Sequence, residues 1–258
     1  MINLYIYSLS TIFLVGLATI VAASEIGWQI GARGGGRSGG NVSTLESAML
    51  GLLALLIGFT FAMALSRFEA RRVAVLNEAN AIGTTALRAR LLPESYRTDV
   101  LKLLKEYVQI RVDVVQSDPS MAEQRTVVDR SNAIQEALWQ HAKAIVAKDN
   151  SMVPTGLFIQ TLNEMIDDQE KRLAAFRNRV PNVVLLGLFG IAAVTGGFAG
   201  YASGLDPKRN RLPVYIMGFL VSAVILLIFD LDRPSSGFIR NDQQSMIDVA
   251  ASINAFSD

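Results

Sequence analysis

The chain contains no cysteine, which excludes disulfides, thiolate nucleophiles and cysteine-ligated metals. It has one histidine, His141, so a multi-histidine metal site cannot form. That residue sits in ALWQHAKAI and reads as an ordinary helix position. Formal net charge is only +1, which gives no electrostatic basis for nucleic-acid binding. No stretch alternates polar and apolar residues with period two, so strands have no signature. No proline occurs before Pro93. No nucleophile–base pair and no ligand set for a metal or cofactor is visible, which leaves an enzyme without a chemical basis.

What remains is apolar residue content, 51% of the chain, with a mean hydropathy of +0.33. It is gathered into four blocks: Leu4 to Ala23, Ala48 to Leu65, Val183 to Tyr201, and Val214 to Leu231. Each is about 18–20 residues, the length a bilayer requires. No block carries a charge at its centre, so a proton relay or ion-coupled transporter has little support. The fold class expected is an all-α membrane protein: four transmembrane helices, with a helical cytoplasmic region between spans two and three. The corresponding divisions are residues 1–66, the first two spans with a glycine-rich loop; 67–181, the cytoplasmic region; 182–231, spans three and four; and 232–258, a cytoplasmic tail.

The first block resembles a signal peptide at Val21, Ala22 and Ala23, but lacks a positive start, and an uncleaved span is the preferred reading. The loop Gly31 to Thr44 lacks the phosphate-loop pattern and reads as a flexible linker. Ser43 or Thr44 is expected to cap the next helix, with Glu46 in its first turn.

The stretch Leu45 to Leu92 is the organising one. It is apolar all round to Leu65, has no charge between Glu46 and Arg67, and then turns amphipathic without a break. That pattern predicts a single helix about 70 Å long that leaves the membrane and continues into water. Ser47, Gly51, Gly58, Ala62 and Ser66 form a small-residue stripe along its span. Such a stripe lets another helix approach closely, either within the subunit or in a neighbouring subunit around an axis. Arg67, Asn77, Glu78, Asn80, Thr84 and Arg88 follow on the extension. They read either as a solvated or inter-helix polar face or as rings lining an oligomer's vestibule, where they would select ions by charge.

Basic residues crowd both membrane ends of the polar region, Arg67, Arg71 and Arg72 at one and Lys171, Arg172, Arg177 and Arg179 at the other. This places the region, and with it both termini, in the cytoplasm, although Lys208, Arg209 and Arg211 argue the other way. Within it, Leu101, Leu104, Val108, Val112 and Val115 mark one apolar face, Val127 to Val146 another, and Phe158 to Phe176 a third, joined by short loops. Asp167, Asp168 and Glu170 point in different directions on a helix and are a poor cation site. Gly190, Gly197 and Gly204 predict a tight-packing face on span three. Asp230, Asp232 and Arg233 lie at the end of span four and are expected either to pair with Arg67 or Arg71 at the membrane surface or to act as a structural tie.

Several of these motifs resemble a bacterial integral membrane family called bestrophin-like domain. They are Phe59-Thr60-Phe61-Ala62-Met63-Ala64, Glu78-Ala79-Asn80-Ala81-Ile82-Gly83-Thr84, Arg88, Leu91-Leu92-Pro93 and Tyr96-Arg97. Leu162-Asn163, Ile166-Asp167, Arg172, and Leu231-Asp232-Arg233-Pro234 with Gly237 fit the same pattern. The resemblance implies a remote relation to bestrophins, pentameric anion channels with four spans per subunit. The second span carries no proline, unlike the proline-centred motif of the bestrophin neck.

Together these observations predict an oligomeric channel of the bacterial inner membrane, its pore lined by the second span. Its partners would be lipid, further copies of itself (five by the resemblance) and inorganic ions. The other reading is a non-conducting scaffold or sensor whose cytoplasmic helices bind a protein partner.

Overall fold

The structure, a computed structural model, describes residues 4–34, 40–117, 121–148, 152–205, 210–234 and 237–256. Among these residues there are eight α-helices and no strand. They are α1 (Leu9–Arg33), α2 (Gly40–Ala89), α3 (Glu94–Ser117), α4 (Met121–Val146), α5 (Leu157–Arg177), α6 (Asn182–Gly204), α7 (Leu212–Asp232) and α8 (Gln244–Asn254). Four helices are long and apolar enough to cross a membrane: α1, α2, α6 and α7. The chain forms two compact units, Met1–Phe68 with Arg179–Arg240, and Glu69–Asn178 with Asn241–Asp258.

In the membrane unit, α1 packs along α6 with backbones nearly touching. A Cβ built at Gly27 or Gly200 would overlap the carbonyl oxygens of Gly197 and Ser24 respectively, and one at Gly204 would overlap that of Trp28. Hydrocarbon supplies no hydrophobic drive between helices, so close van der Waals packing of small residues takes its place. The face expected through Gly190, Gly197 and Gly204 is corrected at one end. A Cβ at Gly190 would meet nothing within 4 Å, and Gly196 and Gly200 make the contact instead. A seven-residue spacing drifts about 20° per heptad on a straight helix, which carries Gly190 off the contact line.

The first span also extends further than its apolar block, to Arg33 instead of Ala23. Glu25, the charge that ends the block, is held by Arg211 (Nη1 to Oε2, 3.3 Å) and accepts a hydrogen bond from the Tyr215 hydroxyl. Arg211 in turn lies 3.4 Å over the Trp28 ring. Gly31 to Arg33 therefore belongs to α1, and α2 begins at Gly40, ahead of the expected caps Ser43 and Thr44. Extending an established helix adds one hydrogen bond per residue fixed, which offsets the roughly 1 kcal/mol cost of each glycine. Residues 35–39 of the linker lie outside the described residues.

The second unit has a core of conventional type. Leu104, Tyr107, Val108, Leu138, Phe158, Leu162 and Met165 are fully buried against one another and against Ile82 and Ala86 of α2. Each large side chain contributes about 1.5–3 kcal/mol by leaving water. The segment expected as a polar tail forms α8, whose Met246, Ala250 and Ile253 join this core. Arg90, just after α2, lies 4.7 Å over the Phe256 ring just beyond α8.

Candidate functional site

Helix α2 has two distinct faces. In the membrane unit Leu53, Thr60 and Ala64 are buried. On the other side Ser47, Gly51, Gly58, Ala62 and Ser66 are all exposed, and a Cβ at Gly51 or Gly58 would meet nothing within 4 Å. The small-residue stripe thus packs against no described residue of its own chain. Leu52, Leu55 and Phe59 flank it, Phe59 being 64% exposed.

In the second unit the same alternation continues along α2. Val75, Ile82 and Ala86 are buried, while Val73, Leu76, Asn77, Asn80, Thr84 and Leu87 are exposed. Asn77, Asn80 and Thr84 therefore occupy one outward face, as their spacing predicts. The remaining polar candidates do not join them. Arg67 is half-buried, with Nη1 3.5 Å from the Met63 carbonyl. Arg88 donates to the Leu157 carbonyl (2.7 Å), tying α2 to the start of α5 beside the Thr85 hydroxyl, which lies 3.0 Å from the Thr161 carbonyl. Arg71 is fully buried.

Glu78 departs furthest from the ring reading and takes the inter-helix one. It has no exposed surface and points into the bundle, because it shares helical phase with Val75, Ile82 and Thr85 rather than with Asn77 and Asn80. Its carboxylate meets two guanidiniums, Arg111 of α3 (Nε to Oε1, 3.1 Å) and Arg172 of α5. The Tyr107 hydroxyl lies 3.1 Å from Glu78 Oε1 and 2.8 Å from Gln169 Oε1, donating to one at a time. It accepts from Arg111 Nη2 (3.2 Å) and Gln135 Nε2 (3.3 Å). Gln169 accepts from Arg111 and from Gln135, and donates to Asn132 Oδ1 at 2.9 Å. One network thereby links α2, α3, α4 and α5.

The electrostatics follow from burial. Desolvation pushes the Tyr107 phenol up to about 12, and the Glu78 carboxylate adds to the rise against the opposing pull of Arg111. Burial lowers the Arg172 guanidinium, with Glu78 acting to restore it. Arg111 is also opposed by burial, yet ends above its ordinary value because Tyr107 and Glu78 outweigh that cost. Breaking a buried pair of this kind costs far more than its formation contributes, since removal of one partner strands the other's charge.

At the end of α7 the two carboxylates serve the backbone. Asp230 accepts the N–H groups of Phe238 (2.8 Å) and Ile239 (2.9 Å). Gly237, with φ of +137°, sits against it where any Cβ would overlap the carboxylate. Asp232 accepts the Val180 N–H (2.9 Å) and the Tyr5 hydroxyl. Arg233 donates to the Tyr7 carbonyl. These bonds pin the entry to α1, the start of α6 and the loop after α7 to one end of the membrane unit.

No group of three or more His, Cys, Asp or Glu side chains is placed to hold a metal among the described residues. The Glu78 network was not read from sequence, although a signal existed. Tyr107 and Arg111 stand in phase with Leu104 and Val108, and Gln169 and Arg172 with Leu162 and Met165. Polar residues at core positions of two helices in one unit imply a shared buried partner.

Residues 40–246 match the family model described as Bestrophin-like domain. The fold is also that of solved structures. The crystal structure of a bacterial Bestrophin homolog from Klebsiella pneumoniae, obtained by Zn-SAD phasing, has a TM-score of 0.63 at 16% identity, over 95% of this chain and 96% of that chain. A point mutant of the Klebsiella pneumoniae homolog gives 0.65 at 17% identity, over 93% and 98%. No curated protein sequence matches the chain.

Proposed function

The chain belongs to the Bestrophin-like domain family, and on that premise we propose that it is a homo-oligomeric ion channel of the bacterial inner membrane, with the outward face of α2 turned toward the oligomer axis. The carrying observation is that face itself. Leu52, Phe59, Ser66, Val73, Asn80 and Leu87 recur every seven residues, and all are exposed in the subunit. Val73, Leu76 and Leu87 expose apolar surface beside the exposed Asn77, Asn80 and Thr84, and such rows of apolar residues call for a partner. A further copy of the same helix, placed by rotation about an axis, supplies one. Five copies is the number suggested by the family resemblance, and both termini would be cytoplasmic.

In that arrangement Asn77, Asn80 and Thr84 form uncharged polar rings in the vestibule. Glu78 and Arg88 contribute no ring because they are committed to packing. Leu52, Leu55 and Phe59 form an apolar constriction in the span, of the kind that gates by dewetting. The same three side chains favour the second reading, in which they seal the axis and the protein is a non-conducting scaffold or sensor. One preparation separates the two: mass in detergent, then ion flux after reconstitution in liposomes. The channel reading expects a ring-sized oligomer and flux that is abolished by Gly58→Trp. A stable monomer, or an oligomer that passes no ion under any gradient, contradicts it.

A further inference from the structure

The membrane unit contains an open apolar groove of about 540 Å³ between α1 and α6. Its walls are Ile26 and Ile30 on one side and Val194 and Phe198 on the other, with Gly27 and Gly197 as its floor. Ile26, Ile30 and Val194 are each more than half exposed. The floor is rigid, since the glycine backbones are in contact and a Cβ at Gly27 has no room. The groove is therefore present before any occupant arrives, as is usual for small-molecule sites.

Its position fixes what can enter. Both walls belong to membrane-spanning helices, so the groove opens to hydrocarbon. Tyr201 closes one end of it. Trp28 and Tyr215, gathered around Arg211 and Glu25, place that end at the membrane–water interface, where aromatic residues concentrate. Arg33 lies three residues beyond Ile30, one turn further on the same face of α1. It is exposed and pairs with no acid among the described residues. Arg211, by contrast, is already neutralised by Glu25.

We infer that this groove binds one acyl chain of a phospholipid whose anionic headgroup rests on Arg33. A hydrocarbon slot ending in an exposed guanidinium at headgroup level matches that chemistry at both ends. A second copy's helix in the same slot would have to bring its own acid to Arg33. The inference requires the four-span membrane fold and does not depend on conduction.

The chain has two tryptophans, neither in the groove wall, so Trp28→Phe and Trp139→Phe combined with Phe198→Trp, at a wall position, leave one reporter in the groove. The full-length protein in liposomes is titrated with phosphatidylglycerol or phosphatidylcholine brominated on the acyl chain, each diluted into unbrominated lipid. The account expects brominated phosphatidylglycerol to quench the groove reporter at about fivefold lower mole fraction than brominated phosphatidylcholine, the effect of one basic residue near an anionic headgroup. Arg33→Gln, a surface change with no packing role, removes the difference. Ala193→Leu, which fills the groove, raises the amount of either lipid needed. Equal quenching by the two lipids with Arg33 in place overturns the inference, as bulk contact alone would give it. Absence of quenching by both also overturns it, and points to a second copy covering the groove.

Discussion

The two units of this chain are held together by opposite means. In the membrane unit α1 and α6 approach until backbone meets backbone, through Gly27, Gly31, Gly200 and Gly204. In the second unit the helices stand apart around bulky side chains and enclose a charged network centred on Glu78. The difference reflects the solvent each unit leaves. Apolar side chains gain little by moving from lipid to protein, so only contact distance and shape remain. In water, burial of Leu, Phe and Met supplies the drive, and that surplus tolerates a buried ionic cluster whose own net contribution is small.

Perturbing one mechanism at a time should break this contrast unequally. Glu78→Ala strands the Arg111 and Arg172 guanidiniums in the core, and should lower stability by about 3–5 kcal/mol, measured by denaturant unfolding in detergent. Gly200→Val should cost about 3 kcal/mol, because its side chain collides with the rigid Ser24 backbone and overpacking cannot relax there. Gly190→Val, seven residues before Gly197 and facing open space, should stay within about 0.5 kcal/mol. That pair sharpens the claim that distance, and not glycine content, matters in α6.

Alkali should act on the Tyr107 network of the second unit. Tyr107 is raised from 10.0 to about 12, so its contribution is complete below pH 10 and is lost as pH rises to about 12. The loss should be about 3 kcal/mol across that window. Tyr107→Phe should flatten the slope between pH 10 and 12 relative to the unsubstituted protein, as followed by unfolding midpoints. The smallest effect on subunit stability is expected at Val73→Ser and Leu76→Ser. They should leave the subunit's unfolding unchanged within about 0.5 kcal/mol while weakening the oligomer, read as a shift in mass by size exclusion.

Much of the fold is legible in the sequence because blocks of apolar residues and amphipathic periodicity carry it. All four spans and the long second helix can be read from Leu4 to Leu231, and the family resemblance rests on motifs placed along the same elements. The small-residue stripe from Ser47 to Ser66 is visible as spacing, whereas its exposure depends on which neighbours the other spans provide. The end of α1 is not legible, because Glu25 looks like a stop until Arg211 and Tyr215, nearly two hundred residues away, are seen to hold it. Glu78 is ambiguous for a related reason. Beside Asn77 and Asn80 a carboxylate fits a ring or an inter-helix face equally, and its phase with Val75 and Ile82 decides for the inward one. Asp230 and Asp232 look like partners for arginine, yet backbone N–H groups of residues 180, 238 and 239 occupy them.

The central claim is that the outward face of α2 lines the axis of a conducting oligomer. The absence of native cysteine allows a single cysteine to test it directly. Ala62→Cys, on that face, would be reconstituted in liposomes and exposed to a small charged thiol reagent during ion flux, with Ala192→Cys, buried between spans, as the control. The account predicts that flux through the Ala62 variant falls on modification, and that oxidation joins its subunits covalently, while the control shows neither. Flux indifferent to modification of Ala62→Cys, with no cross-linked species, would contradict it.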